Sequence, residues 1–355
     1  MPSLFDPITV GALRLPNRIV MSPLTRSRAT PDTRVPTSLM AEYYVQRATA
    51  GLIISEATSV DPMGVGYAAT PGIWSDEQVE GWKPVTKAVH DASGRIFLQL
   101  WHVGRISDPS FLNGKPPVSA SAIAAKGDVS LLRPKRPFPV PRALETGEIP
   151  GIIAAYRKGA QNAKAAGFDG VELHGANGYL LDQFLQDSTN RRTDAYGGSR
   201  EKRARLILEA TDAVLEVWGP ERVGMHLAPR GDAHDMGDSD RLATFTYVAR
   251  ELGRRRLAFI CAREERRGDS IGPQVKEAFG GVYIVNEGFT KETAELALAD
   301  GVADAVAFGK LIIANPDLVA RFKADAPLND WDMDTFYSGG PKGYTDYPAL
   351  KSASA

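Results

Sequence analysis

The 355-residue chain has a single cysteine, Cys261, which excludes an internal disulfide, a cysteine-rich zinc site and an iron–sulfur cluster. Packing is its expected role, and no metal ligand set is expected. No apolar run approaches the ~20 residues needed to cross a bilayer. The opening MPSLFDPITVGALRLPNR lacks the basic start and apolar core of a signal peptide. An excess of charge is missing too: 42 Lys and Arg against 43 Asp and Glu give a net charge of −1. Neither a nucleic-acid nor an anionic-membrane partner is expected from that balance. With 43% hydrophobic and 24% charged residues, the chain reads as a globular cytoplasmic enzyme acting on small molecules.

Apolar, β-branched runs alternate with helical patterns, the signature of parallel βα units. Strands are predicted near Ile19–Ser22, Leu52–Ala57, Ile96–Leu100, Gly170–His174, Val223–Leu227, Leu257–Cys261, Val282–Asn286 and Ala305–Phe308. Helices are predicted near Ser38–Ala50, Glu77–Ala92, Pro150–Ala166, Ser199–Trp218, Asp240–Gly253, Pro273–Phe279, Thr290–Asp300 and Pro316–Ala324. Ser75 with Gln78 reads as a capping box opening the second. Eight of each close most simply as a single (β/α)8 TIM barrel, an α/β domain spanning residues 1–355. One connection departs from the short norm. Residues 101–148, rich in Pro, Ser and Gly, read as a lid over the strand C-termini, with room for a small hairpin.

The fourth strand breaks at His174-Gly175-Ala176-Asn177-Gly178-Tyr179. His174, Asn177 and Tyr179 therefore gather at a strand C-terminus, where β/α barrels build their active sites. After the sixth strand, the charged loop Arg263 to Arg267 is a candidate contact for an anionic ligand.

These motifs carry a resemblance that covers nearly the whole chain. LFDPITVGALRLPNRIVMSPLTRSRA, GLIISEAT, YAATPGIWS, FLQLWHVGR, HGANGYLLDQFLQDSTNRRTDAYGGS, IANPDLVAR and TFYSGGPKGYTDYPAL together resemble the old yellow enzyme family of FMN-dependent ene-reductases. The resemblance implies a ping-pong cycle in which NADPH or NADH reduces FMN. An α,β-unsaturated aldehyde, ketone, imide or nitroalkene then accepts hydride from the flavin. By this resemblance Pro23, Leu24, Thr25, Ala57 and Gln99 line the isoalloxazine ring, Thr25 at its O4 and Gln99 at its pyrimidine edge. Asn286, Gly288, Gly309 and Lys310 lie at the phosphate end, where glycine amides and one cation suit an anion. His174 and Asn177 match the oxyanion clamp, and Tyr179 the proton donor. A phenol with a reference pKa near ~10 is a usable general acid at neutral pH. Trp101, Tyr67 and Tyr337 match aromatic positions of the substrate pocket, and His234 is a looser candidate. Relatives include monomers and homodimers, and the sequence does not choose between them.

Two positions depart from the family pattern. Its usual arginines facing the flavin N1 edge and following the last strand's glycine are His226 and Lys310 here. Arginine's planar fork is not reproduced by either residue. Weaker FMN binding or a lower flavin potential than in an arginine-bearing relative is the expectation. Two other readings compete. A glycosidase on the same fold would use Glu56 and Glu172, and a catalytically weak flavin- or ligand-binding barrel would follow if the altered cations were decisive.

Overall fold

Eight parallel strands follow the predicted runs: β1 (Ile19–Met21), β2 (Leu52–Ile54), β3 (Ile96–Trp101), β4 (Gly170–Gly175), β5 (Val223–Leu227), β6 (Phe259–Arg263), β7 (Val282–Asn286) and β8 (Ala305–Phe308). The structure, a computed structural model, describes residues 1–231, 233–265 and 268–350. The strand order β2-β1-β8-β7-β6-β5-β4-β3 is closed by β2 pairing with β3, giving a (β/α)8 barrel. Between strands run helices α1 (Ser38–Val45), α2 (Asp76–Asp91), α3 (Ile149–Ala165), α4 (Arg205–Trp218), α5 (Arg241–Arg254), α6 (Gly272–Phe279), α7 (Lys291–Ala299) and α8 (Leu318–Lys323). The Ser75–Gln78 capping box forms as expected: Ser75 Oγ accepts from Gln78 N, and Gln78 Oε1 from Ser75 N. Among the described residues no helix is long and apolar enough to cross a membrane.

Alternation of side chains along each strand sorts the barrel interior into layers. Phe97 on β3 and Phe259 on β6 fill the lower layer, their ring centroids 5.8 Å apart. Each buried ring stabilises the fold by roughly 2 kcal/mol. Glycine is required opposite them: a Cβ on Gly170 would lie 2.3 Å from the Phe97 ring, and one on Gly224 2.2 Å from that of Phe259. Below this layer an antiparallel hairpin, Ile8–Val10 with Leu13–Leu15, plugs the N-terminal end. Ala12 N there donates to Glu221 O at 3.0 Å, just before β5 begins. Two residues further up each strand the layer turns polar, with Gln99, Glu172, His226 and Cys261.

Several boundaries differ from the sequence reading. Strand β2 stops at Ile54, where side chains replace the backbone partners of the ladder: Gln99 N donates to the Ser55 hydroxyl, and Glu56 N to that of Tyr44. Thr58–Ser59 then pairs separately with the end of β3. Strand β6 begins and ends two residues later than expected, since Ala258 N is taken by Pro220 O and Val223 O. Arg263 is thus the last residue of a strand rather than the first of a loop.

The 101–148 connection is structured. Val118–Ser119 pairs parallel with Arg142–Ala143, and an antiparallel bridge at Asp128 and Pro137 makes the small hairpin. Val129 and Phe138 from this hairpin pack with Ala57, Tyr67, Trp101 and Val103, so the insertion sits on the C-terminal end of the barrel. A second cover comes from the C-terminal segment. Arg26 donates to Phe336 O and Gly343 O, Arg28 to Thr335 O and Phe336 O, and Tyr43 stacks on Tyr344 at 4.0 Å. That clamp carries Tyr337 to the barrel mouth.

Candidate active site

The C-terminal ends of the strands enclose a cavity of about 710 Å³. Of the expected site residues, Pro23, Leu24, Thr25, Ala57, Gln99, Trp101, His174, Asn177, Tyr179, His226, Asn286, Gly288, Gly309, Lys310 and Tyr337 all line it. Tyr67 does not. It stands behind the wall, stacked on Trp101 at 5.5 Å, with its hydroxyl 3.0 Å from that of Tyr179. His234 is also outside, its ring 5.3 Å from that of Tyr179. Of the charged loop, Arg263 and Glu265 line the cavity, and Arg266 and Arg267 lie outside the described residues.

One floor of rings organises the reactive end. His174 lies 5.0 Å from Tyr179 and 5.5 Å from His226, and Trp101 meets Tyr179 edge-on at 4.9 Å. His174 and His226 are register partners on neighbouring strands, which fixes their separation by backbone pairing alone. Asn177 and Gly178 follow with φ of 59° and 78°, a left-handed turn that asparagine and glycine tolerate. Asp182 Oδ2 accepts from Gly178 N at 2.9 Å and pins that turn. Burial pushes the Asp182 carboxyl up to about 7, offset in part by hydrogen bonds from Gln186 and Gly178.

The electrostatics favour neutral donors. Burial, then the neighbouring His226, Arg263 and His234, holds the His174 imidazole well below its usual range. It is therefore uncharged at neutral pH and presents an N–H rather than a full cation. Burial and the adjacent Tyr67 push the Tyr179 phenol well above 10, and burial pushes Tyr67 up to about 12. Both remain protonated through the neutral and mildly alkaline range.

Two expected contacts are partly committed elsewhere. Gln99 Nε2 donates to Glu172 Oε2 at 2.7 Å, which leaves the Gln99 carbonyl without a partner among the described residues. Asn286 Nδ2 donates to Ser22 Oγ and Ala307 O, so this side chain braces β7 against β1 and β8 and its donors are not spare for an anion. The phosphate-end contribution of that loop narrows to backbone. Lys310 opens the short helix Lys310–Ala314, its Nζ 5.8 Å from the Trp331 ring centroid.

Sequence reasoning missed Glu172 as part of this layer. It is fully buried; one oxygen holds Gln99, and the other lies 3.6 Å from Nδ1 of His226, both atoms without a hydrogen bond among the described residues. Cys261 completes a group whose ligand-type atoms lie within 4.8 Å of one another. Burial and then Glu172 hold the Cys261 thiol protonated, in keeping with a packing role. Neither Glu56 nor Glu172 lines the cavity, so the two carboxylates on which the glycosidase reading rests are not in place.

Comparison with known proteins places this geometry among relatives. Residues 3–329 match the model of the NADH:flavin oxidoreductase / NADH oxidase family. The chain is 45% identical to 12-oxophytodienoate reductase 1 of Oryza sativa subsp. japonica, over 98% of this chain and 93% of the relative. It is 44% identical to a probable flavin mononucleotide-dependent alkene reductase of Leishmania infantum, over 98% and 97%. Among solved structures, the old yellow enzyme homologue from Zymomonas mobilis superposes with a TM-score of 0.96 at 48% identity, covering 98% of this chain and 100% of that one. Morphinone reductase in complex with tetrahydroNAD gives 0.96 at 50% identity, covering 100% and 99%.

Proposed function

The chain belongs to the NADH:flavin oxidoreductase / NADH oxidase family, the old yellow enzyme type of oxidoreductase, and from that premise we propose that it is an FMN-dependent ene-reductase. Its substrates are activated alkenes: α,β-unsaturated aldehydes, ketones, imides or nitroalkenes. NADPH or NADH is the electron donor. The observation that carries the reading is the convergence of His174, Asn177 and Tyr179 on one cavity that Thr25, Gln99 and Gly309 also line. We extend the proposal to a single FMN-binding domain over residues 1–355, cytoplasmic, and monomeric or homodimeric.

The residues fit FMN by their chemistry. The Gln99 carbonyl and the Thr25 hydroxyl both reach the cavity without a hydrogen bond to another described residue, as an acceptor and a donor for a flavin's polar edge. Pro23 and Leu24 offer an apolar bed, and the backbone at Gly288 and Gly309 with Lys310 offers amides and a cation for a phosphate. When bound, FMN supplies the hydride carrier. His174 and Asn177 hold the activating oxygen of the alkene with two N–H donors, and negative charge that develops there meets fixed dipoles. Tyr179 delivers a proton from its Oη to the α-carbon, and the Tyr67 hydroxyl orients it. Trp101 walls the reacting end, while Tyr337 stands at the mouth.

A visible spectrum of the purified protein tests this in one cuvette. A flavin band that bleaches with NADPH or NADH and returns with cyclohexenone is expected. A protein colourless even after incubation with FMN and desalting would overturn the reading and favour a ligand-binding barrel that has lost its cofactor with the arginines.

A further inference from the structure

Arg263 ends β6 at the cavity wall, and its guanidinium spans two side chains. Nη1 donates to Asn177 Oδ1 at 3.0 Å, and Nη2 to Glu287 Oε1 at 2.8 Å. Arginine carries five donors and no acceptor. The Asn177 atom facing it must therefore be the carbonyl oxygen, an assignment that an amide seen alone would not permit. The NH2 group then turns the other way, and Nδ2 has no hydrogen-bond partner among the described residues. The backbone of Asn177 is held as well: its carbonyl can only accept, so His234 donates to it from Nδ1 at 2.7 Å. The far end of the clamp is strained. Glu287 has φ of 95°, a region that a residue with a Cβ rarely adopts. A strained residue whose carboxylate spans the cavity wall to one guanidinium points to a task for that guanidinium beyond packing.

We propose that Arg263, braced by Glu287, is a positioning residue that fixes the Asn177 amide with its NH2 edge toward the substrate. The inference rests on the ene-reductase reading and adds to it how one half of the oxyanion clamp is set. Unclamped, an asparagine amide presents N–H or C=O with similar ease, and the C=O orientation repels the oxygen it should hold. Arg263 removes that orientation. Its charge also polarises the amide, since hydrogen bonds in a chain strengthen one another. The site consequently selects alkenes whose activating group is an acceptor, a carbonyl or nitro oxygen, and works against groups that need an acceptor in return.

The test is a double-mutant cycle on the FMN-loaded enzyme with cyclohexenone, joining Arg263→Met, Asn177→Ala and their combination. Arg263→Met is expected to lower kcat/KM by about 10-fold or more, the scale of a charge-assisted hydrogen bond. In the Asn177→Ala background the same change is expected to have less than about twofold effect, and Arg263→Lys, whose ammonium can donate to Asn177 but lacks the planar fork, to recover part of the loss. An unchanged Arg263→Met enzyme, or equal losses with and without Asn177, overturns the proposal. A wild-type protein without enone reduction fails the underlying reading instead. The amide can then be read directly by NMR: the Asn177 Nδ2H2 resonances, assigned by their loss in Asn177→Ala, are expected to shift in Arg263→Met and Glu287→Gln. Resonances that stay in place overturn the positioning role independently of turnover.

Discussion

Replacing His226 by arginine is the most informative perturbation of this site. Among the described residues Glu172 Oε1 is buried without a hydrogen bond, and His226 Nδ1 is 3.6 Å away, beyond hydrogen-bonding range. A guanidinium at that position reaches the carboxylate with one N–H edge and has others left for the cavity, where about 710 Å³ is open to it. One charge-assisted hydrogen bond to the flavin contributes about 1.5–3 kcal/mol, which is roughly 10- to 150-fold in affinity. Any part of that energy favouring the reduced ring raises the two-electron potential by about 30 mV per 1.4 kcal/mol. Apoprotein titrated with FMN, followed by quenching of flavin fluorescence, gives the dissociation constant, and equilibration with reference dyes gives the potential. Tighter binding and a higher potential are expected for His226→Arg, with the gain reduced in a Glu172→Gln background. Unchanged affinity and potential would refute the view that the histidine weakens this end of the site.

Two further outcomes are expected. Tyr179→Phe should slow reoxidation by cyclohexenone by about 10²–10⁴-fold while leaving flavin reduction by NADPH near wild type in stopped flow. The phenol's upward-shifted pKa predicts that the wild-type step stays flat through mildly alkaline pH, and a loss shared equally by both half-reactions would count against the proton-donor role. Glu56 offers a stability test. Burial raises its carboxyl from 4.5 to about 7, against the pull of Arg26 and Tyr44, so between those values the native state binds more protons than the unfolded chain. Its contribution to stability therefore falls as pH climbs through that window, by about 3 kcal/mol once complete. Glu56→Gln should gain in thermal midpoint relative to wild type as pH rises from 4.5 to 8, and a difference independent of pH would contradict the assignment.

Strand runs and the strand-end motif were legible because they depend on local pattern. The resemblance placed Gln99 and His226 at the ring, and the broken fourth strand marked His174 and the reactive end. The start of β6 was misplaced because Leu257 and Ala258 are as apolar as the strand itself, and what separates them from it is backbone bonding, of Leu257 N to Leu252 O and of Ala258 N to Pro220 O and Val223 O. Partnerships across the barrel left no local trace. Nothing in the spacing links Arg263 to Asn177, 86 residues apart, or Gln99 to Glu172, 73 apart. Tyr67 shows the complementary limit: its position suggested a substrate contact, but which aromatic faces the cavity and which backs another depends on the packing of the insertion. The retreat of Asn286 from anion binding likewise follows from Ser22 and Ala307, which only the closed barrel brings within reach.

The clamp of Arg26 and Arg28 on residues 335–344 bears on how the protein matures. Ribosomes make all eight strands before that segment, so every strand is synthesised while the two guanidiniums still lack the carbonyls of Thr335, Phe336 and Gly343 and Tyr43 its stacking ring. The pocket mouth is therefore completed by the last part of the chain to be made, after every strand of the barrel. A nascent chain stalled before Phe336 would carry every strand yet leave Tyr337 absent and Arg26 open to solvent.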